Sequence, residues 1–155
     1  MDWRTAGLAR ELNDELLSRL HRPDAKVERL AALDFFDGCS RRALTRAARL
    51  VDFVPAEAGT VLAREGAPAG QVLILAKGAL EVSRTGAESR TAAKGEVFGE
   101  MAALSHLHYP ETLVARGPVE VAVIGAREFL SLLDSLPCLA LKVLERAVKQ
   151  PTRVA

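Results

Sequence analysis

The residues best suited to chemistry stand together at Gly95-Glu96-Val97-Phe98-Gly99-Glu100-Met101-Ala102. Two glycines frame an apolar pair, and the second leads into an acidic residue and a short helical run. Glycine permits a tight turn and lets a ligand approach the main chain with no Cβ in the way. A helical turn opening after Gly99 leaves unpaired N–H groups at its start, and the dipole there favours an anion such as a phosphate. Glu100 at that entrance offers only acceptors, which suits it to the hydroxyls of a sugar. His106, His108 and Glu111 form a second group of candidates. Histidines two apart on a strand project to one face, where they could share a metal with a carboxylate. Nothing else in the chain suggests a Ser-His-Asp or Cys-His arrangement.

These residues need a scaffold, and the 155-residue chain is long enough to bury a core as one domain with helical additions. Hydrophobic residues make up 49% and charged residues 26%, so a soluble globular class fits better than a disordered one. A formal net charge of +1 provides no general attraction to nucleic acid or to an anionic membrane. No apolar run is long enough to span a membrane, and Met1-Asp2-Trp3-Arg4 does not begin a signal peptide. Cys39 and Cys138 are too few for a disulfide framework, and the expectation is two reduced, partly buried thiols in a cytoplasmic protein.

Leu8, Leu12, Leu16 and Leu20 recur every four residues and predict an amphipathic helix over 1–22, closed at Arg22-Pro23. It packs either on the domain's own flank or on a partner. Asp24 is suited to cap a second helix bearing Val27, Leu30, Ala31 and Leu33, and Ser40 a third running to about Leu50. Arg42, Arg46 and Arg49 share one face of that third helix, read as solvated surface rather than a nucleic-acid patch. From Val51 the pattern becomes short β-type runs. Strands are expected near 51–54, 60–63, 71–76, 79–84, 89–93, 111–116 and 119–124, with Lys77-Gly78 and Thr85-Gly86 as turns. Regularly broken short strands argue for a sandwich or barrel-like roll. Helical periodicity returns through Phe129, Leu130, Leu132 and Leu133, and Ser135 with Pro137 reads as the cap and first position of a last helix. That helix is apolar on more than one side, and Leu141, Leu144 and Val148 are expected to contribute to a homodimer interface.

The Gly95–Ala102 stretch resembles the first half of the phosphate-binding cassette of the cyclic-nucleotide-binding domain family, such as the catabolite activator protein-like sensory domain. The likeness runs from about Val27 to Val148, through Asp34-Phe35-Phe36, Pro55-Ala56-Glu57-Ala58-Gly59-Thr60 and Arg64-Glu65-Gly66. It implies a mainly β fold with flanking helices over 23–150. That fold is a jelly-roll-like antiparallel β-roll with N-terminal helices and a C-terminal helix pair, followed by a tail at 151–155. The resemblance also implies a cyclic nucleotide inside the roll, held by Phe98, Gly99, Glu100, Met101 and Ala102, with Glu100 on the ribose.

The family then carries Arg-Ser-Ala or Arg-Thr-Ala about nine residues after that Glu, the Arg pairing with the cyclic phosphate. Here those places hold Tyr109, Pro110 and Glu111. Tyr109 has no positive charge, Pro110 has neither hydroxyl nor N–H, and Glu111 adds negative charge beside a phosphate. Arg116, the nearest following cation, lies roughly 23 Å further along an extended strand. The favoured reading is therefore a non-enzymatic regulatory protein, a protein-interaction or dimerisation module with weak or no cyclic AMP or cyclic GMP binding and no cofactor. The alternative is a cyclic-nucleotide or other nucleotide sensor acting on a separate partner. A lesser alternative is a cupin-like metal site at His106, His108 and Glu111, whose spacing resembles the cupin ligand cluster. The few residues after Gln150 do not accommodate the helix-turn-helix that follows in the family's transcription factors, so no direct DNA binding by that route is expected.

Overall fold

The computed structural model describes residues 23–149; the first helix expected from the sequence and the tail lie outside them. Helix α1 (Pro23–Ala31) starts on its proline, so Asp24, expected as the cap, lies inside the first turn. A single 3-10 turn (Asp34–Phe36) leads to α2 (Arg41–Ala48), where the Ser40 side chain accepts from the Ala43 N–H at 3.1 Å. That is the expected cap, satisfying one of the helix's orphan donors.

Eight strands follow: β1 (Val51–Ala56), β2 (Val61–Ala63), β3 (Gln71–Lys77), β4 (Leu80–Ser83), β5 (Arg90–Ala92), β6 (Val97–Phe98), β7 (Thr112–Ala115) and β8 (Val119–Gly125). Helix α3 (Glu100–Ser105) lies between β6 and β7, and α4 (Ala126–Ser135) and α5 (Pro137–Lys149) complete the described chain. The strands form two four-stranded sheets, ordered β1-β8-β3-β6 and β2-β7-β4-β5, and every pairing within them is antiparallel.

The first sheet is buried on both faces, which explains the unbroken apolar run of β3. Successive side chains on a strand point to opposite faces. Val72, Ile74 and Ala76 accordingly join the core beneath the helices, whereas Leu73 and Leu75 join the core inside the roll. β8 divides in the same way, with Ala122 and Ile124 towards the helices and Val121 and Val123 towards the interior. Phe35, edge-on to Phe36 and stacked on Phe129, ties the 3-10 turn to α4. The Arg29 guanidinium lies over the Phe53 ring, 3.9 Å from its centroid, and pairs with Glu120, fastening α1 to the first sheet.

Two further expectations need correction. Cys39 and Cys138 are not free thiols but a disulfide, with Cα atoms 5.3 Å apart across 99 residues of sequence. The fold brings the connection between the 3-10 turn and α2 against the start of α5, within the span a bridge requires. Reduced thiols were part of the case for a cytoplasmic protein, and that support is removed. What holds of the described residues is that no helix is long and apolar enough to cross a membrane. Ser135 does not cap α5 either; it ends α4, its hydroxyl donating back to the Ser131 carbonyl at 3.0 Å.

Candidate functional site

The Gly95–Ala102 stretch forms β6, a turn and the start of α3 at one end of the roll. Gly99 precedes α3 with φ +85°, in the left-handed region. A Cβ there would meet the Gln71 carbonyl at 2.8 Å and the Tyr109 ring at 3.0 Å, so glycine is required twice over. Phe98 points into the roll interior and Ala102 is buried, whereas Met101 packs at the edge of the helical core. Glu100 is the one buried charged residue among the described residues, 4% exposed.

A carboxylate this deep needs a partner. It has one in Arg146, a residue the sequence reading did not single out. Arg146 reaches in from α5, its Nε donating to Glu100 Oε1 at 3.1 Å and its Nη2 to the Val97 carbonyl at 3.1 Å. The guanidinium fork thus joins the last helix to two points of the Gly95–Ala102 stretch, the β6 backbone and the first residue of α3. A signal for it existed: Leu139, Val143 and Arg146 follow 4–3 spacing, placing a charge on the helix's buried seam. Leu141, Leu144 and Val148 occupy the other side and are 61%, 60% and 77% exposed.

Tyr109 is also in the site, where the register from Glu100 puts it. The backbone fixes it there, since its N–H donates to the Ala67 carbonyl and its own carbonyl accepts from Gly66. Its side chain is buried, and the hydroxyl donates to the Gln71 carbonyl at 2.8 Å while accepting the Gln71 N–H at 3.1 Å. Burial raises the phenol's pKa above its ordinary value, and the Gln71 hydrogen bond opposes that rise in part. Between these groups remains a cavity of about 110 Å³, whose wall includes Glu96, Glu100, Glu111, Arg90, Arg146 and Pro110. Arg90 is spoken for by Glu96, at 2.8 Å. Arg116 is not in the wall; it bonds Thr91 on the second sheet.

Among the described residues no group of three His, Cys, Asp or Glu side chains is placed to hold a metal. The cupin-like alternative required His106 and His108 on one strand. Instead both are exposed in the loop after α3, His106 in a left-handed conformation at φ +55°.

The pattern of this chain matches the family model described as "Cyclic nucleotide-binding domain" over residues 53–135. The chain belongs to the cyclic nucleotide-binding domain family. The expected β-roll with flanking helices is therefore the family's fold. The acetyltransferase Pat of Mycolicibacterium smegmatis is 32% identical over 118 residues, covering 74% of this chain. This chain spans only 35% of that relative's length. A structure of a cAMP-binding acyltransferase from Mycobacterium smegmatis, in a mutant form, superposes with TM-score 0.67 at 31% identity, over 81% of this chain and 40% of that one. The regulatory subunit of a cAMP-independent protein kinase A from Trypanosoma brucei shares the fold at TM-score 0.71 and 22% identity, over 88% and 50% of the two chains.

Proposed function

We propose that this domain regulates through protein contacts, and that its pocket binds cyclic AMP and cyclic GMP weakly or not at all because its own side chains occupy it. The observation that carries this reading is the engagement of Glu100, the residue expected on the ribose, by Arg146. Tyr109 supports it by filling the place of the family's phosphate-pairing arginine with a neutral, fully hydrogen-bonded ring. Glu111 on the rim adds repulsion towards a phosphate. A nucleotide entering this pocket would have to displace a buried ion pair before gaining any phosphate contact.

The working-sensor reading has support of its own, since the relatives above 30% identity include a protein described as cAMP-binding. In that reading Arg146 would turn from Glu100 towards the phosphate. Titration with 1 mM cyclic AMP and cyclic GMP separates the two readings. Saturation a hundredfold above the dissociation constant would stabilise the fold by about 2.7 kcal/mol, raising the melting temperature by roughly 5–10 °C. No shift is expected for the wild-type protein, and a clear one establishes the sensor.

The contact surface is proposed on α5, in a homodimer. Leu141, Leu144 and Val148 stand outward along one side of the helix, more exposed than isolated apolar residues need be. Leu141→Glu with Leu144→Glu is expected to convert a dimer to monomer in sedimentation equilibrium. A wild-type protein that sediments as a monomer at tens of micromolar sinks the dimer.

A further inference from the structure

The Cys39–Cys138 bridge borders a second cleft, separate from the pocket at Glu100. Of about 340 Å³, it lies between the start of α2 and the junction of α4 with α5, a size that suits a small molecule. Its wall includes Ser40, Arg42, Arg46, Ser135 and Cys138, and holds two cations and no carboxylate. Arg42 and Arg46 are exposed, one helical turn apart, and have no carboxylate partner among the described residues. Both cysteines are partly buried against the helical core, but only Cys138 belongs to the wall of the cleft. A reagent in the cleft therefore reaches Cys138 before Cys39. The bridge also joins two helix starts. Cys39 directly precedes Ser40, the cap of α2, and Cys138 is the second residue of α5. Negative charge is favoured at both places, so cleavage produces two stabilised thiolates, which makes a disulfide easier to reduce.

From this we infer that the bridge is a redox latch on α5, opened by a small anionic dithiol that docks against Arg42 and Arg46 and attacks Cys138. One thiolate of the dithiol bonds to Cys138 Sγ, and the electron pair of the protein's S–S bond leaves on Cys39. The second thiolate then attacks the reagent's own sulfur in the mixed disulfide and expels Cys138 as a thiolate. The dithiol ends as a cyclic disulfide, oxidised by two electrons, and its two protons pass to the cysteines or to water. Opening frees α5 at its second residue, two turns before Arg146 and its contact with Glu100. The latch stands whether or not the Glu100 pocket takes a cyclic nucleotide.

Dihydrolipoate and dihydrolipoamide, dithiols that differ in one carboxylate, test the latch. Acid-quenched and alkylated samples of the full chain report the rate of bridge loss by mass spectrometry. At low ionic strength dihydrolipoate should open the wild-type bridge about tenfold faster, the lower end of what steering into a charged cleft provides. That advantage should vanish in Arg42→Gln with Arg46→Gln. It should also collapse in molar salt, which keeps the test decisive if the double variant fails to fold. The anionic monothiol mercaptoethanesulfonate should leave its mixed disulfide on Cys138, as located by peptide mapping. In the reduced protein, amides of 139–149 should lose protection from hydrogen exchange within minutes while those of β3 keep theirs. Equal rates for the two dithiols, or an advantage that survives the arginine changes or molar salt, overturns the inference. So does an adduct on Cys39, an α5 as protected after reduction as before it, or a bridge that neither dithiol opens.

Discussion

Tyr109→Arg, Pro110→Ser and Glu111→Ala, combined with Arg146→Ala, are expected to raise affinity for cyclic AMP by about two to four powers of ten. The first two changes supply a guanidinium fork, a hydroxyl and an N–H, each aimed at a phosphate oxygen. Charge-assisted hydrogen bonds contribute about 1.5–3 kcal/mol apiece, and two of them account for that range. Glu111→Ala removes a carboxylate from the cavity wall. Arg146→Ala is included because the guanidinium otherwise stays on Glu100, the acceptor a ribose needs. The Tyr109 ring and the Arg146 side chain also fill much of the space, leaving a cavity of about 110 Å³. The three cassette changes without Arg146→Ala should therefore gain less, and Glu100→Ala should erase the gain in either background. Isothermal titration is the measurement. A folded quadruple variant that binds no cyclic AMP would mean that the shape of the roll, rather than missing donors, excludes the nucleotide.

Removal of the Cys39–Cys138 bridge is expected to have the largest effect on stability. The bridge spans 99 residues of sequence and so closes a loop that contains all eight strands. Chain-entropy reasoning assigns about 4–5 kcal/mol to a loop of that size, and measured losses on removing a bridge run about 2–5 kcal/mol. For a domain of this length that corresponds to a fall of roughly 5–15 °C in melting temperature. Cys39→Ser with Cys138→Ser should show that fall by circular dichroism, and reductant should reproduce it in the wild type. Identical melting curves with and without reductant, together with an unchanged double variant, would show that the bridge contributes nothing. The bridge also anchors α5 at its second residue, two turns before Arg146, so the double variant is expected to weaken closure of the pocket as well.

Much of the fold could be read from local chemistry, because the signals involved are local. Ser40 caps α2 with its own side chain, and Pro137 opens α5 at the position where a missing N–H costs nothing. Seven of the strands fall where turn residues bound short apolar runs. The eighth, β6, is two residues long and carries no periodicity to detect; it exists because Leu73 and Ile74 offer it a register. The cassette was legible for the same reason: its glycines and Glu100 are consecutive, and Gly99 has the left-handed backbone that its residue type permits.

Which group Arg146 would meet was not legible, although its place on the buried seam of α5 was. Arg146 stands 46 residues from Glu100, and Cys39 stands 99 from Cys138. Neither pair has any spacing rule to betray it, since each is formed only when α5 closes over the end of the roll. Residue types along the chain determined that this is a cyclic-nucleotide-binding-type roll with Tyr109 where a cation was expected. Tertiary packing alone decided that Glu100 faces an arginine of its own chain, because a carboxylate buried that deeply is stable only beside a charge that folding delivers.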